Sequence, residues 1–255
     1  MHRWWPGGAK RTVRLEGRAA AWKAGRERPR HARARTERAR SWPHPSKVAT
    51  TRYIGRANVA KRLRALDGSE GRVLYRDGSA RVELEEVALT VSPPFGLDHE
   101  ADYDVVRAGP LLDALEVEPT VAAVLVRLGG YAFGVFEGER LVASKVGSRF
   151  VKGRHKKGGS SANRFRRRRE EQERELIDAA AEEAARVLGP WRDRVEHVAL
   201  GGDRSAVSRV LAARADLGWL EPLALERFFD VPEPRLRVLE ALPYQLYAAK
   251  VVEEP

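Results

Sequence analysis

The sequence predicts an α/β protein: a mixed β-sheet with flanking helices, preceded by a small α+β unit. Three observations carry that prediction. Residues 121–146 hold three apolar runs separated by tight turns, the pattern of an antiparallel meander. A long helical pattern follows over 162–188. Beyond it, strand-like and helix-like stretches alternate to the end of the chain, which brings further strands into the same sheet.

The elements read in order as follows. Residues 1–48 alternate Arg, Ala, Glu and Pro without a sustained apolar face. They read either as a disordered basic arm with affinity for RNA or as a segment outside the natural protein. Met1 is the only methionine, so a start corrected downstream falls on a non-Met codon such as that of Val48. Residues 49–117 form the small α+β unit. Val59, Leu63 and Leu66 share one face of a helix over 58–66, which Asp67-Gly68 ends. Residues 72–75 and 82–91 read as strands, the second with partial alternation at Val82, Leu84, Val87 and Leu89. Pro110 suits the first turn of a short helix through Leu115. His99 lies in an acidic loop and reads as a surface residue.

The α/β domain spans 118–255. Val121–Val126 is continuously apolar, as a strand covered on both faces must be. Leu128-Gly129-Gly130 and Glu137-Gly138-Glu139 turn the chain into strands 131–136 and 141–146. The helix over 162–188 carries Phe165, Leu176, Ile177, Ala180, Ala184, Val187 and Leu188 on an intermittent apolar stripe, with Ser160 or Ser161 as its cap and a Glu170–Arg174 pair on its surface. A strand over 195–200 leads through Gly201-Gly202-Asp203 into a helix to about Arg214. That turn reads as a plain β-to-α connection with Asp203 as cap, rather than as a phosphate site. A strand over 223–229, a helix over 232–242 and a strand over 244–252 complete the domain.

Length and composition bound the function. At 255 residues the chain suits one large domain or two small ones. Without cysteine there is neither a disulfide framework nor a thiolate metal site. No apolar run reaches the roughly 18 residues of a membrane span and no signal-peptide core is present, so a soluble, cytoplasmic, monomeric protein is expected. No metal-binding His pair, P-loop, dinucleotide fingerprint or nucleophile elbow occurs, and no cofactor or metal is expected. His197, in a strand, reads as structural.

The net charge of +11 is unevenly placed. Residues 1–48 hold fourteen Lys or Arg against three acids, and the remainder holds 33 of each sign. Within that neutral remainder, Ser148–Arg169 carries ten Lys or Arg and no acid. This stretch, with its loop over 148–162, is the positive pole of a dipolar body, which favours a local polyanion site over general stickiness. Lys152, Arg154, Lys156, Lys157, Arg164, Arg166, Arg167, Arg168 and Arg169 are candidates to neutralise an RNA backbone. His155 either contacts a phosphate or is simply a polar loop residue. Gly158 and Gly159 let main-chain N–H groups approach a ligand closely. Phe150 and Phe165 have the chemistry to stack on bases, but anchoring the loop in the core is the role expected of each. The alternative for the whole stretch is a solvated basic loop leading into a helix.

Three strands, a basic Gly-Gly loop and an Arg-rich helix resemble the middle domain of eukaryotic and archaeal class-one release factors. The closer resemblance is to the Vms-like release factor (VLRF) group and its bacterial, largely actinobacterial, members. It rests on Lys156-Lys157-Gly158-Gly159-Ser160-Ser161, Arg164-Phe165-Arg166-Arg167-Arg168, Val198-Ala199-Leu200-Gly201-Gly202-Asp203 and the Pro232–Leu242 segment. The resemblance covers roughly 118–255. It implies a peptidyl-tRNA hydrolase that frees nascent chains at the peptidyl-transferase centre of stalled ribosomes, with the ribosomal A site and peptidyl-tRNA as partners. The site it implies comprises Gly158, Gly159, Ser160, Ser161, Ala162 and Asn163. In the family pattern Gly-x-x-Gln, counting from Gly159 puts Ala162 where the Gln would be and counting from Gly158 puts Ser161 there, and Asn163 is the nearest amide. A ribosome- or tRNA-binding protein with impaired catalysis is therefore the alternative. A metal-dependent nuclease would be fold analogy only.

Overall fold

The described residues form two β-sheets, each packed against helices. The computed structural model describes residues 49–148 and 160–255, with side chains from Asn163 onward in the second segment. The first sheet has six antiparallel strands in the order β1-β10-β4-β3-β2-β5: β1 (Thr50–Gly55), β2 (Glu70–Arg76), β3 (Ser79–Glu83), β4 (Ala88–Ser92), β5 (Ala101–Val105) and β10 (Ala248–Glu254). The second is mixed, in the order β8-β7-β6-β9: β6 (Thr120–Arg127), β7 (Gly130–Glu137), β8 (Arg140–Ser148) and β9 (His197–Gly202). β6, β7 and β8 form the expected meander, and β9 lies parallel to β6.

Helices α1 (Arg56–Leu66) and α2 (Gly109–Glu116) pack on the first sheet, burying Val59, Leu63, Leu111 and Leu115 against Val73, Val82, Leu89 and Val91. On the second sheet, strand periodicity splits the apolar run of β6 between two cores. Ala122, Val124 and Val126 face α3 (Ser160–Leu188) and α4 (Arg204–Ala212), whereas Val121, Ala123 and Leu125 face α5 (Leu236–Glu240) and α6 (Leu242–Leu246). A strand covered on both sides needs no polar face, which accounts for its composition.

Four sequence expectations need correction. The single strand over 82–91 is two, β3 and β4, joined by a turn in which the Leu84 N–H donates to the Val87 carbonyl at 3.0 Å. The burial phase shifts from even positions (Ala80, Val82) to odd ones (Leu89, Val91), which a continuous strand does not allow. The stretch over 223–229 meets β9 only near its two ends: Val198 donates to Leu223 at 2.7 Å and accepts from Leu225 at 2.9 Å, and Phe229 donates to Leu200 at 2.8 Å and accepts from Gly202 at 2.9 Å. The helix over 232–242 begins at Leu236 and ends at Glu240, because Pro232 and Pro234 hold the preceding residues extended and Pro243 starts a new helix, α6. The last strand begins at Ala248 and pairs with β1 and β4, so the chain returns to the first sheet. β1 and β5 had no counterpart among the expected strands.

Aromatic and charged side chains join the sheets. Phe95 stacks on His197 at 5.3 Å and meets Tyr247 edge-on at 5.2 Å. The Arg56 guanidinium lies over the Tyr247 ring at 4.7 Å and pairs with Glu118 at 3.1 Å and Glu139 at 2.6 Å. His197 is half-buried in β9, and His99 is half-buried too, with Nε2 at 3.2 Å from the Tyr103 hydroxyl rather than lying free on the surface.

Burial holds the His197 imidazole below its usual pKa, against a smaller opposing effect of Glu196. The fold therefore favours neutral His197. That stabilisation is complete above the unfolded value near 6.5 and is lost as pH falls through the lower folded value. Thermal unfolding followed from pH 7.5 down to pH 5 should show a steeper loss of Tm for the native protein than for His197→Phe, which keeps the stack on Phe95 but cannot titrate. Parallel pH profiles would refute this role.

Candidate nucleic-acid interface

Strand direction gathers the candidate site at one edge of the second sheet. The parallel strands β6 and β9 both end there, at Arg127 and Gly202, and β8 ends at Ser148, opposite Gly130. The carboxyl edge of parallel strands, where loops join strands to helices, is a common location for ligand sites in α/β sheets. The basic stretch leaves the sheet from this edge, and α3 begins at Ser160.

Helix α3 is held in place by its second half. Leu176, Ile177, Ala180, Ala181, Ala184 and Leu188 are buried against Val124, Phe133 and Val135 of the sheet. Upstream, the Glu173 carboxylate lies between Arg169 at 2.8 Å and Arg209 of α4 at 3.5 Å, which fixes the last anchored turn. Asn163 through Arg168 are all exposed. From Ser160 to Leu176 the helix runs roughly 24 Å at about 1.5 Å per residue, most of it outside the core. Phe165, expected to help anchor the loop, is 48 % exposed on this projecting part. Arg166 pairs with Glu170 at 3.7 Å, in place of the expected Glu170–Arg174 pair. Among the described residues Arg164, Arg167 and Arg168 have no carboxylate partner.

Of the candidate residues, Arg164, Arg166, Arg167, Arg168 and Arg169 thus lie on consecutive turns of α3, with Asn163 just ahead of them. Arg169 differs from the rest, being half-buried and committed to Glu173. Ser160 and Ser161 fall within the first turn of α3 rather than before it, and Ala162 follows them; their side chains are outside the described residues. Lys152, Arg154, His155, Lys156, Lys157, Gly158, Gly159 and Phe150 also lie outside the described residues. Gln172, half-buried farther along α3, is about 15 Å from Ala162 along the helix axis.

Two parts of the arrangement were not anticipated. Glu173 and Arg209 tie α3 to α4, and the signal for the first was the i,i+4 spacing of Arg169 and Glu173. Arg127 binds the Val231 carbonyl at 2.6 Å and Asp230 at 2.9 Å, securing the neighbouring strand end. The Gly201-Gly202-Asp203 turn is structural, as expected. Asp203 Oδ1 accepts from the Ala206 N–H at 2.9 Å and already occupies the start of α4. Among the described residues no cluster of three His, Cys, Asp or Glu is placed to hold a metal ion, and no helix is long and apolar enough to cross a membrane.

Residues 119–252 match the family model of the Actinobacteria/chloroflexi VLRF1 release factor. No curated protein matches the chain. Among solved structures, an archaeal translation termination factor, aRF1, is similar at 18 % identity and a TM-score of 0.39, covering 82 % of this chain and 69 % of its own. A Vms1 mitochondrial localization core is similar at 10 % identity and 0.35, covering 76 % and 80 %. The Thermoplasma acidophilum Pelota protein is similar at 11 % identity and 0.24, covering 77 % and 64 %. The family match spans just over half of the chain and includes the whole second sheet, the basic stretch and α3. The chain therefore belongs to the Actinobacteria/chloroflexi VLRF1 release factor family.

Proposed function

We propose that the chain is a peptidyl-tRNA hydrolase that frees nascent peptides from tRNA on stalled ribosomes. The observation that carries this reading is the projecting, exposed arginine-bearing start of α3 at the strand-end edge of a release-factor-family domain. Fold stability does not account for those arginines. Cations near a helix N-terminus oppose its dipole, and like charges three or four residues apart repel by a few tenths of a kcal/mol per pair. A polyanionic partner compensates both costs.

In the proposed reaction, water attacks the ester carbonyl that joins the peptide to the tRNA 3′ end, and the tRNA hydroxyl leaves with a proton. Lys152, Arg154, His155, Lys156, Lys157, Arg164 and Arg166–Arg168 hold RNA phosphates in the ribosomal A site. Arg169 positions that helix through Glu173. Gly158 and Gly159 bring backbone N–H groups to the peptidyl-transferase centre, and the backbone of Ser160–Ala162 with the Asn163 amide orients the attacking water. The protein acts as a cytoplasmic monomer and requires no cofactor.

The position of Ala162 favours one further reading, a family member that occupies the A site with little or no chemistry. Loss of one oriented polar group costs about 3–4 kcal/mol of transition-state stabilisation in other acyl-transfer sites. Ala162→Gln is therefore expected to raise peptide release from stalled ribosomes by roughly tenfold or more, the full effect being limited by how much the backbone already supplies. Release by neither protein, with ribosome binding intact, would select the binding role.

A further inference from the structure

The edge segment beside β9 departs from that strand for a reason visible in its hydrogen bonds. Between its two attachments β9 advances two residues, from Val198 to Leu200, while the segment advances four, from Leu225 to Phe229. The two extra residues form a bulge, and such bulges re-aim side chains. Here the bulge contains Arg227, whose guanidinium lies over the Tyr53 ring at 3.8 Å and the Phe229 ring at 4.8 Å. One nitrogen, Nη1, donates to the Gln245 carbonyl at 2.6 Å. Among the described residues no carboxylate pairs with Arg227, and its Nη2 and Nε have no hydrogen-bond partner. Desolvation lowers the pKa of this half-buried cation, with a small opposing effect of Tyr53.

Arg227 borders a cavity of about 560 Å³ between the two sheets, also lined by Tyr53, Ser92, Phe95, His197 and Lys250. Strand register explains why those groups converge. Tyr53, Lys250 and Ser92 are direct neighbours across β1, β10 and β4, and they occupy the face opposite the buried Ala249 and Val251. Lys250 is exposed and has no ion pair among the described residues. The His197 ring stacks on Phe95, and no described residue hydrogen-bonds its nitrogens. The carboxylates in the lining, Asp77 and Glu226, are exposed at the rim, where water screens them.

We propose that this cleft binds a nucleoside phosphate, with Arg227 and Lys250 on the phosphate, the half-exposed Tyr53 ring and the Phe95–His197 stack beside the base, and Glu226 accepting from sugar or base donors. The volume falls within the range of small-molecule sites, roughly 300–1,000 Å³, which favour junctions between packed units. A planar base is held by ring faces and a phosphate by unpaired arginine donors, and a nucleoside phosphate presents both groups. The inference is independent of the basic stretch. His197 opens β9, at the end of that strand away from Gly202, and none of the residues lining the cleft belongs to the basic stretch or to α3.

The test is calorimetric titration of the full chain with AMP, adenosine, inorganic phosphate and a short oligoadenylate. AMP should bind saturably, with adenosine and phosphate each at least tenfold weaker. Lys250→Glu should weaken AMP at least tenfold while leaving the Tm of the unliganded protein unchanged. Arg227→Lys, which keeps the charge but loses the planar stack, should also weaken AMP. Oligoadenylate tighter than AMP, and equally sensitive to Lys250→Glu, assigns the site to RNA; oligoadenylate no tighter assigns it to free nucleotide. No saturable binding at millimolar concentration, phosphate binding as tightly as AMP, or an unaffected Lys250→Glu variant would overturn the proposal.

Discussion

Replacing Arg164, Arg166, Arg167 and Arg168 together by alanine is expected to weaken ribosome binding by roughly 10²–10³-fold at about 0.15 M salt. Each phosphate contact contributes about 0.9 to the slope of log affinity against log salt on a duplex and about 0.7 on a single strand. Losing four contacts should therefore lower that slope by about 3. The substitutions lie on exposed turns, and Arg169, which pairs with Glu173, is left in place. Alanine also favours the helix and removes the unfavourable cations near its start, so Tm should hold or rise. Co-sedimentation with ribosomes between about 50 and 200 mM salt checks both quantities. An unchanged slope would show that these arginines are solvated and make no phosphate contact.

The second large effect concerns the scaffold that presents the helix. Gly202 has φ of +102°, and a Cβ there would stand 2.2 Å from the Val126 carbonyl oxygen, a backbone atom that cannot swing away. Strain at such a φ costs on the order of 1–3 kcal/mol, and forced displacement of packed neighbours about as much again. Gly202→Ala is therefore expected to destabilise the protein by roughly 3–5 kcal/mol, measured by denaturant unfolding. Gly129, with φ of +119° and open space within 4 Å of where a Cβ would stand, supplies the comparison, since Gly129→Ala adds strain without collision. Equal losses in the two variants would refute the close approach of β6 and β9 at this turn. Because Asp203 caps α4 immediately afterwards, the Gly-Gly-Asp run serves a tight strand-to-helix turn.

Much of this architecture is legible in the sequence because local patterns agree with their surroundings. The meander, α3 and the Asp203 cap all follow from apolar period, turn residues and capping chemistry. The errors arise where distant partners decide. β10 is apolar enough for either sheet, and only its neighbours β1 and β4 place it in the first. The division of 82–91 is visible in the parity change between Val82 and Leu89. Asp77-Gly78, whose left-handed φ values of 50° and 68° make the β2–β3 turn, is a hairpin signal that the strand expectations pass over. At the candidate site, charge clustering identifies the projecting arginines. The Glu173 contact to Arg209 cannot be read locally, since it joins residues on two helices. Nor can the bulge that aims Arg227 into the cleft, since it depends on pairing with β9.

Peptide release is measured by single-turnover hydrolysis of peptidyl-tRNA on stalled ribosomes. The native chain is compared with a variant carrying Gly158→Ala and Gly159→Ala, while ribosome occupancy is followed in the same reaction. The proposed mechanism predicts release by the native chain and at least a hundredfold slower release by the variant at equal occupancy, because misplacement by about 1 Å costs a factor of that order. Release at the same rate by both proteins, or by neither at full occupancy, would contradict it.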